Sequence, residues 1–135
     1  MALWRFLEYQ TDEQERHFRD WYELQIPIIQ ATLDATLVTL GATENWDDPE
    51  LENFKVFTRK PGHLGLAQVQ FEIIQGKKKR QFRVLGLWRQ EQREFILLVG
   101  FEKNGRSPNP PNAFEVAQDL RMQIEDGRGL IYDHV

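Results

Sequence analysis

Four consecutive cations, Lys77, Lys78, Lys79 and Arg80, separate two apolar runs, and Arg83 follows three residues later inside the second run. Ammonium and guanidinium groups are the usual ligands of phosphate, arginine through a planar fork and lysine as a point charge. A lysine-rich turn also serves to keep a sheet edge soluble, so Lys77, Lys78 and Lys79 carry both readings. Arg83 is different. It alternates with Phe82 and Val84 and shares a strand face with Leu85 and Leu87, where an unpaired cation is costly. Either a carboxylate such as Glu72 pairs with it, or that face is an open groove that receives an anion. Lys55, Arg59, Lys60, Arg89, Lys103 and Arg106 fall at strand ends and in adjoining loops, from which they can reach the same concavity. Were about four such cations to neutralise phosphates, affinity would fall with salt at a log–log slope of roughly −3 to −4.

The charge distribution supports segregation. Residues 1–54 hold 3 basic and 12 acidic groups, residues 55–106 hold 12 and 4, and residues 107–135 hold 2 and 5. The nets of −9, +8 and −3 sum to the overall −4. A basic block between acidic flanks is the pattern of a chain with one anion-attracting surface.

Other chemistries are excluded by what is missing. The chain has no cysteine, which removes disulfides, thiolate metal sites and a cysteine nucleophile. It has no phosphate loop, GxGxxG, GxSxG or HExxH, and His17, His63 and His134 are too scattered to form a recognised metal pattern. Neither metal nor cofactor is expected. The first twenty residues carry Arg5 and Glu8 and become densely charged by Asp12, unlike a signal-peptide core or a membrane span. A cytoplasmic protein with no membrane attachment is the expectation, and 135 residues suit a single domain over residues 1–135.

The positioning elements follow from periodicity. Leu3 to Gln10 reads as a strand. Thr11 or Asp12 offers a cap to a helix that carries Phe18, Trp21 and Tyr22 on one face. Pro27 ends that helix and opens another to Leu40, closed by Gly41. Leu66 to Ile74 alternates, Gly76 starts a turn through the lysines, and Phe82 to Trp88 is the partner strand. Phe95 to Phe101 is uniformly apolar and so reads as central and covered on both faces. Asn112 and Glu115 resemble a capping box for a last helix that ends at Gly127, and the tail after it is left open between a loose end and a docking strand. The result is an α+β fold: a small antiparallel or mixed sheet, made of an N-terminal strand plus a three-stranded meander, with an N-terminal helical hairpin and a C-terminal helix.

That order of elements resembles the RelE/HigB superfamily of bacterial toxins, most closely its phage-derived HigB-like branch, over nearly the whole chain. Where the family usually carries segments like GLWELRI, RYRVLYF and ILLHGFVKK, this chain has GLAQVQF (Gly65 to Phe71), RQFRVLGLW (Arg80 to Trp88) and ILLVGFEKNGRSP (Ile96 to Pro108). The resemblance implies the toxin of a type II toxin–antitoxin pair, a metal-independent endoribonuclease that cleaves mRNA on the ribosome and is neutralised by a cognate antitoxin, often a helix-turn-helix protein. It implies that Arg83 stabilises the phosphate and that Lys103 contacts RNA or the transition state. Lys60, His63, Lys77, Lys78, Lys79, Arg80 and Arg106 are the expected RNA-binding groups around them. At Gln70, Gly86 and Val99 the chain departs from the arginine, tyrosine and histidine common in the family. The alternative is therefore a catalytically impaired module on the same scaffold that binds RNA or protein.

Overall fold

A computed structural model describes residues 2–105 and 107–134 of the chain. The first strand, β1 (Arg5–Gln10), leads into α1 (His17–Glu23) and α2 (Pro27–Gly41). A short β2 (Phe54–Val56) and a 3₁₀ turn (Pro61–His63) precede the long strands β3 (Ala67–Gln75), β4 (Lys78–Arg89) and β5 (Glu94–Asn104). β6 (Ser107–Asn109), α3 (Ala113–Glu125) and β7 (Leu130–Asp133) complete the chain. No helix among the described residues is long and apolar enough to cross a membrane.

The sheet is mixed and runs β2-β3-β4-β5-β1-β7, with β6 paired to the far end of β5. β1 lies parallel to β5 with Leu7 opposite Ile96, and every other neighbouring pair is antiparallel. The meander expected from the sequence is present as β3, β4 and β5. The sheet is larger than expected, because β2, β6 and β7 extend it. The tail is a docked strand, with Tyr9 opposite Ile131.

Three local expectations are corrected. The first helix begins at His17 rather than near Thr11, because Gln14 adopts a positive φ of 67° and breaks the turn. The Thr11 hydroxyl accepts from the Glu15 amide at 3.0 Å, so it caps that turn instead of a helix. The turn after Ile74 is also tighter than a four-cation loop. It consists of Gly76, at φ 64°, and Lys77, while Lys78 and Lys79 already pair with Gln75 and Ile74. Asn112 makes no side-chain cap to α3.

Each face of the sheet has its own core, as layered packing requires. On one side α1 and α2 bury Phe18, Leu33 and Leu37 against Val69, Phe82, Val84 and Leu97. Trp21 lies directly over Gly100, where a Cβ would meet its ring at 2.5 Å or closer. On the other side α3 places Ala113, Ala117 and Leu120 against Leu85, Ile96, Leu98 and Phe101. β5 is buried from Phe95 to Phe101 and lies between β4 and β1, as its uniform apolarity predicts.

Candidate anion-binding groove

The position of Arg83 follows from strand alternation. Phe82 and Val84 point to the helical hairpin, so Arg83, like Leu85, belongs to the α3 side. The cross-strand register there places Gln70 opposite Arg83 opposite Phe101, and Glu72 opposite Gln81 opposite Lys103. α3 covers the Leu85 end of this face and stops short of Arg83 and Lys103. What remains is a concavity of about 450 Å³.

Its floor is formed by Gln68, Gln70, Arg83 and Phe101, with Lys55 and Lys103 at its sides. The wall is aromatic: His63 stacks on Phe114 with ring centroids 3.5 Å apart, and Phe57 meets both rings edge-on. α3 itself holds the turn that carries His63, because the Gln118 amide donates to the carbonyls of Gly62 (3.1 Å) and Leu64 (2.7 Å).

No carboxylate among the described residues forms an ion pair with Arg83. Its guanidinium donates to the Phe82 carbonyl at 3.1 Å and to the Gln81 side chain at 3.3 Å. Burial lowers its proton affinity below the ordinary arginine value, opposed only by the charge of Glu72; arginine stays protonated all the same. A partly buried cation with two neutral acceptors and an open side is a preorganised anion ligand. Burial, and after it the charges of Lys60 and Lys55, push the His63 imidazole below its ordinary pKa. At neutral pH it is therefore an uncharged proton acceptor.

Of the residues singled out from the sequence, Lys55, His63, Gln70, Arg83 and Lys103 share this concavity. Lys60 lies in an adjoining cleft of about 450 Å³ that also contains Arg59 and shares Lys55, Phe57 and His63 with the groove. Lys79 is paired with Glu72 at 3.2 Å. Lys77 and Lys78 are exposed at the hairpin tip, some five residue pairs from Arg83, or about 17 Å along the strand. Arg80 is a correction. Alternation puts it on the opposite face, where it makes a two-pronged pair with Glu102 at 2.9 and 2.8 Å and lies over the Phe82 ring. It does not line the groove. Arg89 is likewise paired, with Glu94 at 3.6 Å. Arg106 lies outside the described residues.

The sequence reading missed Phe57, Gln68 and Phe114. Phe57 and Phe114 stand in loop and helix-start contexts without periodicity, and no one-dimensional signal joins them to His63. Two departures from the family pattern have structural causes. Gly86 sits where β4 shifts register against β5 after Leu85, and any Cβ would overlap the Ile96 carbonyl oxygen and stand 2.6 Å from the Phe95 ring. Gln70 is tied down: its side-chain amide donates to the Glu52 carbonyl and its oxygen accepts from Gln68 at 3.0 Å.

The groove thus combines a partly buried guanidinium, exposed ammonium groups and a neutral imidazole on one face of an otherwise acidic molecule. Searches against family models, curated proteins and solved structures find no match for this chain.

Proposed function

We propose that the groove binds the phosphodiester of RNA and that the protein is a metal-independent endoribonuclease of the RelE/HigB toxin kind. The observation that carries this reading is Arg83, without an ion-pair partner among the described residues, in an open concavity beside Lys103 and a neutral His63. Strand, two helices, meander and helix follow one another as the resemblance implies, which supports it further.

The chemistry is transesterification. The 2′-hydroxyl oxygen attacks the neighbouring phosphorus while His63 takes its proton. Arg83 holds the non-bridging oxygens as charge builds on them. The bond from phosphorus to the 5′ oxygen breaks, and Lys103 supplies the proton to that leaving oxygen. The products are a 2′,3′-cyclic phosphate and a 5′-hydroxyl end. In this reading the substrate is mRNA on the ribosome, the partner is a cognate antitoxin, expected to be a helix-turn-helix protein, and the site of action is the cytoplasm.

Expression should arrest growth, and Arg83→Ala should relieve the arrest. Cleaved RNA from the arrested cells should end in 2′,3′-cyclic phosphate. A binding module without cleavage is the second reading, favoured by the engagement of Gln70 with Gln68 and Glu52. Salt-sensitive RNA binding without cyclic phosphate ends would select it, and no salt-sensitive binding at all would reject both.

A further inference from the structure

The cleft that adjoins the groove is bounded by Lys55, Phe57, Arg59, Lys60 and His63. Three of its seven lining residues are cations and none is a carboxylate. Lys55 lies over the Phe57 ring, 5.2 Å from its centroid, and Arg59 and Lys60 are exposed. Among the described residues none of the three forms an ion pair. Their backbone is held in place. The Phe57 amide donates to the Leu66 carbonyl at 3.1 Å and the His63 amide to the Lys60 carbonyl at 2.9 Å, so the segment that carries Arg59 and Lys60 closes on itself. Gln118 of α3 fastens it through the Gly62 and Leu64 carbonyls. Like charges clustered on a fixed loop repel one another, and a bound anion relieves that repulsion.

The cleft and the groove form one track. Lys55 stands opposite Gln68, and Gln68 is two residues from Gln70, which stands opposite Arg83. Lys55, Phe57 and His63 border both concavities. Cationic pockets joined by an aromatic wall suit a single nucleic-acid strand, whose charge recurs at every nucleotide with rings between. An acidic peptide brings the charge without the rings. We propose that this cleft is a second phosphate subsite, so that the ligand is a single strand with two successive phosphates, one on Arg83 and the other among Lys55, Arg59 and Lys60. Such a subsite rests on the RNA reading of the groove and sets the length of strand recognised. It also acts on His63. The charges of Lys60 and Lys55 help to push the imidazole below its ordinary pKa, so a phosphate seated on them raises it again and strengthens the base.

The test uses the full chain and two 2′-deoxy trinucleotides, which lack the attacking hydroxyl and stay intact. One has both linkages charged, and in the other one linkage is an uncharged methylphosphonate. Calorimetry should show the fully charged strand binding about tenfold tighter. Arg59→Gln with Lys60→Gln should abolish that advantage, and the exposure of both side chains leaves the fold intact, checked by circular dichroism. Arg16→Gln with Arg128→Gln removes the same charge from residues that line neither concavity and should preserve it. By nuclear magnetic resonance, the His63 imidazole should titrate at higher pH with the fully charged strand than with the other. Equal affinity for the two strands, or an advantage that survives Arg59→Gln with Lys60→Gln, would overturn the subsite and leave the RNA reading standing. Equal binding of an end-blocked diglutamate would overturn it in favour of a protein ligand, and binding of neither strand would reject the subsite and the RNA reading together.

Discussion

His63 lies flat against Phe114, with ring centroids 3.5 Å apart and planes 10° from parallel, although 51 residues separate them in the chain. The stack fixes the imidazole plane beside the groove, and the ring's environment keeps it neutral. His63→Phe preserves an aromatic ring and removes the proton acceptor. Cleavage should fall about 10²- to 10⁴-fold, while RNA affinity stays nearly constant. Because the base acts deprotonated, the wild-type rate should rise with pH through a value below that of an ordinary histidine and then level off. That acid limb should vanish in His63→Phe. A variant that keeps the limb would assign the base elsewhere.

Arg83 and Arg80 are three residues apart and face opposite sides of one sheet. Arg83→Ala should weaken binding of a short single-stranded RNA at least tenfold, about 1.4 kcal/mol. With Arg83, Lys103 and Lys55 as the cations of the groove, the wild-type log–log salt slope should be about −2, and Arg83→Ala should bring it nearer zero by about 0.7. This is shallower than the slope expected from four cations, because Arg80 is committed to Glu102 and because each phosphate contact on a single strand contributes about 0.7 against about 0.9 on a duplex. Arg80→Ala should leave both quantities unchanged. Filter binding between low and moderate salt measures them.

The buried carboxylate Glu8 ties both termini of the fold. It is fully buried on β1 and accepts hydrogen bonds from Arg19, from His134 at 2.6 Å and from Tyr132 at 3.1 Å. His134 in turn reaches Asp34 at 3.0 Å, and Tyr22 donates to the same carboxylate at 2.5 Å. Burial and Asp34 push the Tyr22 phenol up to about 12. Burial opposes ionisation of Glu8, but His134 and Arg19 outweigh it and hold the carboxyl below its ordinary pKa. Burial likewise opposes a charged His134, but Glu8 and Asp34 outweigh it and raise its pKa. The depressed Glu8 contributes stability above its unfolded pKa and loses it as pH falls through its folded value. The raised His134 contributes below its unfolded pKa and loses it as pH rises through its folded value. The melting temperature should therefore be highest between about pH 4.5 and 6.5. It should decline on either side, and His134→Asn should flatten the alkaline decline. Glu8→Ala leaves Arg19 and His134 without their partner and should cost about 3–5 kcal/mol.

Gly86 marks the register shift between β4 and β5. Gly86→Ala forces a Cβ into the Ile96 carbonyl and the Phe95 ring and should destabilise by about 3 kcal/mol, read by urea unfolding. Gly62→Ala is the control, because nothing lies within 4 Å of its Cβ position; its effect should stay within about 0.5 kcal/mol.

Much of this molecule is legible in its sequence. Alternation over Leu66 to Ile74 and Phe82 to Trp88, and the unbroken apolar run from Phe95, determine the meander and its central strand, because strand faces repeat every second residue. The same period places Arg83 on the face of Leu85. The helical spacing of Ile29, Leu33 and Leu37, with Pro27 before them, determines α2. None of these needs a distant contact. What the tertiary structure decided are the relationships between segments. Alternation already puts Arg80 and Arg83 on opposite faces, but that Arg80 is ion-paired while no described carboxylate pairs with Arg83 is decided by the arrival of Glu102 from β5. The His63 imidazole is held below its ordinary pKa by burial beside Phe114 and Phe57 and by the charges of Lys60 and Lys55. β7 docks because Glu8, at the other end of the chain, receives His134. Such pairings arise from loop closure over tens of residues, and local periodicity carries no record of them.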